Sequence, residues 1–201
     1  MGWVVFAIVL VVGGAVAYVV FNKKEGDGGT KTKHSGTLYN AAAKGDMETV
    51  QKMLERKAEV DEAGGPDKKT PLHWAVQRGH EEVAGLLMSY GANVNAADKK
   101  GMTPLQFCCS NTTSRKSRDR FWRIAEQLIS RGASVNGRNK AKATALYLAI
   151  RNDRHDMIDL LLENNANPNI KDVDDYSILF WARKSDRKDT IKKLIEAGAE
   201  E

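Results

Sequence analysis

The side chains best suited to metal or nucleophilic chemistry are four histidines, at positions 34, 73, 80 and 155, and the adjacent pair Cys108 and Cys109. A zinc site needs ligands in closely spaced pairs, and a nucleophile needs a base and an orienting group within reach. The histidines are scattered along the chain, adjacent cysteines rarely join in a disulfide, and no phosphate-loop motif is present. Catalysis requires a positioned constellation. The sequence offers none, so no enzyme, cofactor or metal is expected.

The segment Ser110 to Arg120, SNTTSRKSRDR, carries hydroxyls among cations. A phosphate on Ser117 would place about two negative charges beside Arg115, Lys116 and Arg118. This segment reads either as a regulated contact loop or as a tolerated surface loop. Asn111-Thr112-Thr113 also forms a glycosylation sequon, usable only in a lumenal location. The chain has 31 Lys and Arg against 26 Asp and Glu, a net charge of +5. Acidic residues nearly balance the basic ones and no base-reading module is visible, so nucleic acid is not expected.

The elements that must position these groups recur at a fixed period. Thr70, Thr103, Thr144 and Ser177 follow one another at 33, 41 and 33 residues, and Gly91, Gly132, Asn165 and Gly198 form a second ruler. The eight or so extra residues of the third unit fall inside Ser110 to Arg120. A hydroxyl at the N-cap and proline at the first helical position open helices at Thr70-Pro71 and Thr103-Pro104. Leu72, Ala75, Val83, Leu86 and Leu87 supply apolar contacts at helical spacing. Gly91, Gly132 and Gly198 suit a left-handed residue ending a second helix, Asn165 tolerates that conformation, and Lys57 fits it poorly. Ala145 and Ile178 depart from the pattern by replacing proline, and Lys68, Lys142 and Asp175 stand where Gly101 sits.

The run Thr70-Pro71-Leu72-His73-Trp74-Ala75, Gly79-His80 and Gly91-Ala92-Asn93-Val94-Asn95 resembles the ankyrin repeat. The resemblance implies an all-α repeat solenoid of helix-turn-helix units with β-hairpin loops. Five repeats are expected, over 37–65, 66–98, 99–138, 139–171 and 172–201. It also assigns His73 and His80 to structural positions and Cys108 to the core.

Ahead of the repeats, Gly2 to Phe21 is about 20 residues without a charge, which as a helix covers roughly 30 Å, the thickness of a bilayer's hydrocarbon core. A single transmembrane helix is expected over 1–21, followed by a flexible linker over 22–36. Lys23, Lys24, Lys31 and Lys33 follow the apolar run and place the repeats in the cytoplasm, with the N-terminus outside. The alternative is a signal peptide cut after Ala15-Val16-Ala17, giving a periplasmic, lumenal or secreted protein. Gly13, Gly14 and Ala17 have a small-residue spacing that permits weak self-association of such a helix. Juxtamembrane lysines add a weak attraction to anionic lipid.

In ankyrin-repeat proteins, hairpin tips and the exposed positions of each first helix commonly contact ligands. By that resemblance the partner-binding residues are Lys69, Lys99, Lys100, Met102, Lys140 and Tyr176 at the tips, and Gln77, Arg78 and Arg151 on the inner helices. They imply a basic central groove with Met102 and Tyr176 as apolar anchors, beside an acidic patch at Asp172, Asp174 and Asp175. The expected function is a membrane-anchored adaptor, scaffold or masking protein, holding an acidic protein partner without covalent chemistry.

Overall fold

In a computed structural model of the chain, residues 4–12, 15–23, 37–111, 115–184 and 186–200 are described. They form two separate units, an N-terminal hairpin and a stack of helix pairs.

The N-terminal unit corrects the expected membrane helix. It consists of β1 (Val4–Val12) antiparallel to β2 (Ala15–Lys23), with Val4 opposite Lys23 and Val12 opposite Ala15. The sequence contains a physical reason for this outcome: both halves are dense in Val and Ile, which favour extended backbone, and the Gly-Gly dipeptide between them is a hairpin signal. Asn22 and Lys23 belong to β2, so the linker does not begin at 22. The rest of the expected linker, 24–36, and the small-residue pair Gly13-Gly14 lie outside the described residues. Among the described residues, no helix is long and apolar enough to cross a membrane.

Ten helices follow in five pairs: α1 (Leu38–Lys44) with α2 (Met47–Glu55), α3 (Pro71–Arg78) with α4 (Glu81–Ser89), and α5 (Pro104–Ser110) with α6 (Arg115–Ser130). The last two pairs are α7 (Ala145–Arg151) with α8 (His155–Glu163) and α9 (Ile178–Lys184) with α10 (Lys188–Glu196). The hydroxyl ruler marks helix starts as the spacing requires. Thr70, Thr103, Thr144 and Ser177 accept from the backbone N–H groups of His73, Gln106, Tyr147 and Phe180. Helices this short are marginal alone, so burial against neighbours holds them. Leu72, Leu87, Leu105, Ile124, Leu146, Ile158 and Leu179 belong to one continuous buried cluster running through the stack.

The third unit departs from the expected loop. Arg115 to Arg120 are helical, the first part of a 16-residue α6, whereas α4 and α8 have nine residues each. The inserted run has no Gly or Pro and is rich in Arg and Lys, good helix formers, so it extends the helix whose core residues are Phe121, Ile124, Ala125 and Leu128. Residues 112–114 lie outside the described set.

Adjacent units are joined along two rows. On the hairpin side, the Lys99 N–H donates to Asp67 O at 2.7 Å and the Lys140 N–H to Lys100 O at 3.1 Å. On the far side, Asn95, Asn136 and Asn169 each donate to a carbonyl of the next unit, those of Gly132, Asn165 and Gly198, at 2.9–3.0 Å. Each also accepts from a backbone N–H there, that of Ser134, Asn167 or Glu200.

Candidate protein-binding surface

The tips are set by one side chain per unit. Asp98 Oδ1 accepts from the N–H groups of Lys100 (2.8 Å) and Met102 (2.9 Å), and Asn139 Oδ1 does the same for Ala141 and Ala143. Asp172 Oδ1 repeats the pattern with Asp174 and Tyr176, both at 3.0 Å. The residues that stand where Gly101 sits take its conformation: Gly101 has φ +75°, and Lys68, Lys142 and Asp175 lie at +54°, +54° and +65°.

Three registers of each unit meet beside the tips: the residue before the cap, and the fourth and seventh after it. In the second unit these are Lys69, Trp74 and Gln77. Lys69 is buried, not an exposed tip contact. Its ammonium donates to Gln77 Oε1 at 3.0 Å, pairs with Asp67 at 3.4 Å, and lies 4.9 and 5.1 Å from the ring centres of Trp74 and Phe107. In the third unit Met102 is half-buried beside Phe107, with Asn139 Nδ2 donating to its sulfur at 3.1 Å.

The fifth unit carries an aromatic shelf. Tyr176 stacks on Phe180 at 4.4 Å between ring centres, and Trp181 meets both edge-on. Tyr176 and Phe180 are exposed, as is Val173 on the adjoining tip. Trp181 donates from Nε1 to Asp172 Oδ2 at 2.8 Å, and the Tyr147 hydroxyl donates to the same oxygen at 3.3 Å. Asp172 therefore leaves the expected acidic surface patch: it is buried, with donors on both oxygens. Burial raises its pKa, but hydrogen bonds from Trp181, Tyr176, Asp174 and Tyr147 outweigh this and hold its carboxyl below the usual range. Arg151 lies 5.7 Å from the Tyr147 ring centre and 6.0 Å from that of Trp181, with Lys184 at 4.9 Å from the latter.

Of the sequence-derived partner residues, Arg151 and Tyr176 thus converge on Trp181, and the backbones of Lys100 and Lys140 meet across neighbouring tips. Arg78, Lys99, Lys100, Lys140, Arg151 and Tyr176 are exposed, whereas Gln77 and Met102 are half-buried. Phe180 and Trp181 were missed. The signal was available, because Trp181 stands four residues after its cap, as Trp74 does.

The other reactive groups are occupied internally. His73 is buried, accepts at Nδ1 from the Thr70 N–H (3.2 Å), and reaches Met102 O through Nε2 at 3.0 Å. Burial lowers its pKa and keeps it neutral. Burial likewise raises the pKa of both cysteines, that of Cys109 to about 12, so neither presents a thiolate. Asn111 Nδ2, the atom a glycan would occupy, donates to Gln77 O at 3.2 Å.

Stacked helix pairs with β-turn tips, held by hydroxyl caps and a neutral inter-unit histidine, define a repeat solenoid whose outer row is available for contact. The chain matches the family model for ankyrin repeats (three copies) over residues 38–118 and 115–201, and it belongs to the ankyrin-repeat family. Repeats of this family are generally non-enzymatic protein-interaction modules. The chain is 29% identical to human Rabankyrin-5 over 180 residues, 87% of this chain and 14% of that protein. It is 30% identical over 194 residues to zebrafish (Danio rerio) Palmitoyltransferase ZDHHC17, covering 80% of this chain and 30% of that one. Against Caenorhabditis elegans Ankyrin repeat and KH domain-containing protein mask-1 it is 30% identical over 136 residues, 67% of this chain and 5% of the relative. The chain thus spans less than a third of the length of these relatives.

Proposed function

We propose that this chain captures a protein partner without covalent chemistry, on the face formed by the tips and the row behind them. The observation that carries this reading is the exposed shelf of Tyr176, Phe180 and Val173 against Trp181, flanked along the row by exposed Lys99, Lys100, Lys140 and Arg151. Aromatic anchors dominate affinity, and surrounding cations steer encounter with an acidic partner. The test is capture of interacting proteins by the wild-type chain and by two variants, Tyr176→Ser/Phe180→Ser and Lys99→Glu/Lys100→Glu. Loss of the same partners with the first variant, and slower salt-sensitive capture with the second, supports the reading. Unchanged capture by both overturns it.

A second reading, attachment of the module to a membrane as an adaptor or masking protein, is supported by the apolar run Gly2 to Phe21. A lone two-stranded hairpin would leave outer backbone groups unpaired in hydrocarbon, so insertion requires this segment to become helical. Protease protection of a C-terminal epitope in intact and detergent-opened vesicles tests it. A full-length, carbonate-resistant chain with its tag on the cytosolic side supports anchoring there. A fully extractable chain rejects it, and a shortened chain on the far side identifies a cleaved leader.

A further inference from the structure

Between the fourth and fifth units, the row of large side chains is broken. The residue before the cap is Lys69, Met102 and Tyr176 in three units but Ala143 in the fourth, and the fourth residue after it is Trp74, Phe107 and Trp181 but Leu148. This pair of small substitutions opens a pocket of about 310 Å³, walled by Ala143, Leu148, Val173, Tyr147 and Trp181, with Arg151 and Asp174 among its polar lining. At ~30 Å³ per water it holds about ten waters, enough for one large apolar side chain.

The charge around the pocket is unbalanced. Arg151 and Lys184 both lie against the Trp181 indole, and neither forms an ion pair among the described residues. Asp172 cannot serve them without losing donors, since Tyr147 and Trp181 hold Oδ2 while two backbone N–H groups hold Oδ1. Two positive charges on one ring repel each other, and an incoming anion relieves that repulsion. Asp174 is the exposed carboxylate on the opposite rim, and it directs an anionic ligand toward the Arg151 side.

We infer that this pocket receives one apolar side chain of an acidic peptide segment, whose carboxylates meet Arg151 and Lys184. The inference rests on the protein-capture reading and names the chemistry of its partner. The occupant is a peptide segment because the pocket is continuous with the exposed aromatic shelf, which offers stacking area beyond a single side chain.

The experiment is selection of a random peptide library displayed on phage against the full chain, followed by titration of the selected peptides against three variants. Ala143→Met installs the residue found at this register in the third unit, and so fills the pocket with a side chain the repeat accommodates. Expected are peptides with Asp or Glu beside a Leu, Phe or Trp, weakened about tenfold or more by Ala143→Met and by Arg151→Glu. Asp174→Asn should tighten them about threefold. Circular dichroism and urea unfolding of each variant separate lost binding from lost fold. Selected peptides that bind Ala143→Met undiminished, or that are basic, overturn the pocket assignment. If they still depend on Tyr176 and Phe180, the capture reading survives that failure. If binding is indifferent to all these positions, both fall.

Discussion

Trp181 and Asp172 are joined by a hydrogen bond of 2.8 Å from the indole Nε1 to Oδ2, so the wall of the candidate pocket is fixed by the same carboxylate that shapes the adjoining tip. Asp172 thereby couples the backbone turn at Asp174 and Tyr176 to the orientation of the ring beneath Arg151 and Lys184. Its ionised form is the one that accepts all four donors.

Asp172→Asn is expected to lower stability at neutral pH by about 1–2 kcal/mol, because a charged acceptor becomes a neutral one. The folded-state pKa of Asp172 is lowered. Its contribution is therefore present above the unfolded value of about 3.9 and is lost as pH falls through the folded one. Urea unfolding from neutral pH to about pH 2 should show the gap between wild type and Asp172→Asn closing at the acid end. A gap constant with pH would mean that ionisation of Asp172 does not contribute.

Arg154 is a fully buried cation where the second unit has His80. Its guanidinium donates to both Asp156 oxygens, at 3.0 and 2.9 Å, and to Cys108 O and Asn111 O at 3.2 and 3.0 Å. Arg154→Ala leaves a carboxylate and two carbonyls without this donor and should cost about 3 kcal/mol in urea unfolding. Arg154→Lys should recover less than half of that, since an ammonium cannot reproduce the fork.

Lys69 and the pair Lys99 and Lys100 look alike in sequence and should behave differently. Lys69→Glu places a carboxylate beside Asp67 in a buried aromatic setting and is expected to cost about 2–3 kcal/mol. Lys99→Glu and Lys100→Glu, on exposed side chains, should stay within about 0.5 kcal/mol. Thermal unfolding of the three variants distinguishes them, and equal effects would contradict the burial of Lys69.

Lys57 and Lys142 adopt left-handed backbone at φ +61° and +54°. Glycine removes a strain of about 1–2 kcal/mol and returns part of it as unfolded-chain entropy. Lys57→Gly and Lys142→Gly should each raise stability by about 0.5 kcal/mol in urea unfolding, whereas Gly91→Lys, at φ +83°, should lower it. Destabilisation by the two glycine variants would show that these side chains contribute more than their strain costs.

Leu146 is 1% exposed, in the helix that links the third and fifth units. Leu146→Ala should cost about 2–5 kcal/mol, with broadened unfolding as neighbouring units lose their shared core. A loss well below that range would place Leu146 outside the core.

The repeat was legible because each landmark answers a local demand. Thr70 accepts from a backbone amide, and Gly91 takes a left-handed φ, whatever surrounds them. Tertiary facts were less visible. Lys69 reads as a surface cation until Trp74 and Phe107 are seen around it, and Asp172 reads as surface acid until Tyr147 and Trp181 donate to it. The N-terminal run satisfied the length criterion for a membrane helix, but length does not distinguish a helix from two Val-rich strands around Gly-Gly. The inserted segment was placed correctly and given the wrong backbone, since polarity indicates exposure and leaves open whether an exposed segment is loop or helix.

The two rows of inter-unit bonds, at the hairpins and at Asn95, Asn136 and Asn169, have a mechanical consequence. A pull on the last unit loads both rows together, so the stack should resist bending and yield by peeling one unit at a time. Four of the intervals would release nearly equal lengths of chain. The third unit, with about eight additional residues, would release roughly 30 Å more, a longer tooth in a force–extension trace that marks when the middle of the stack gives way.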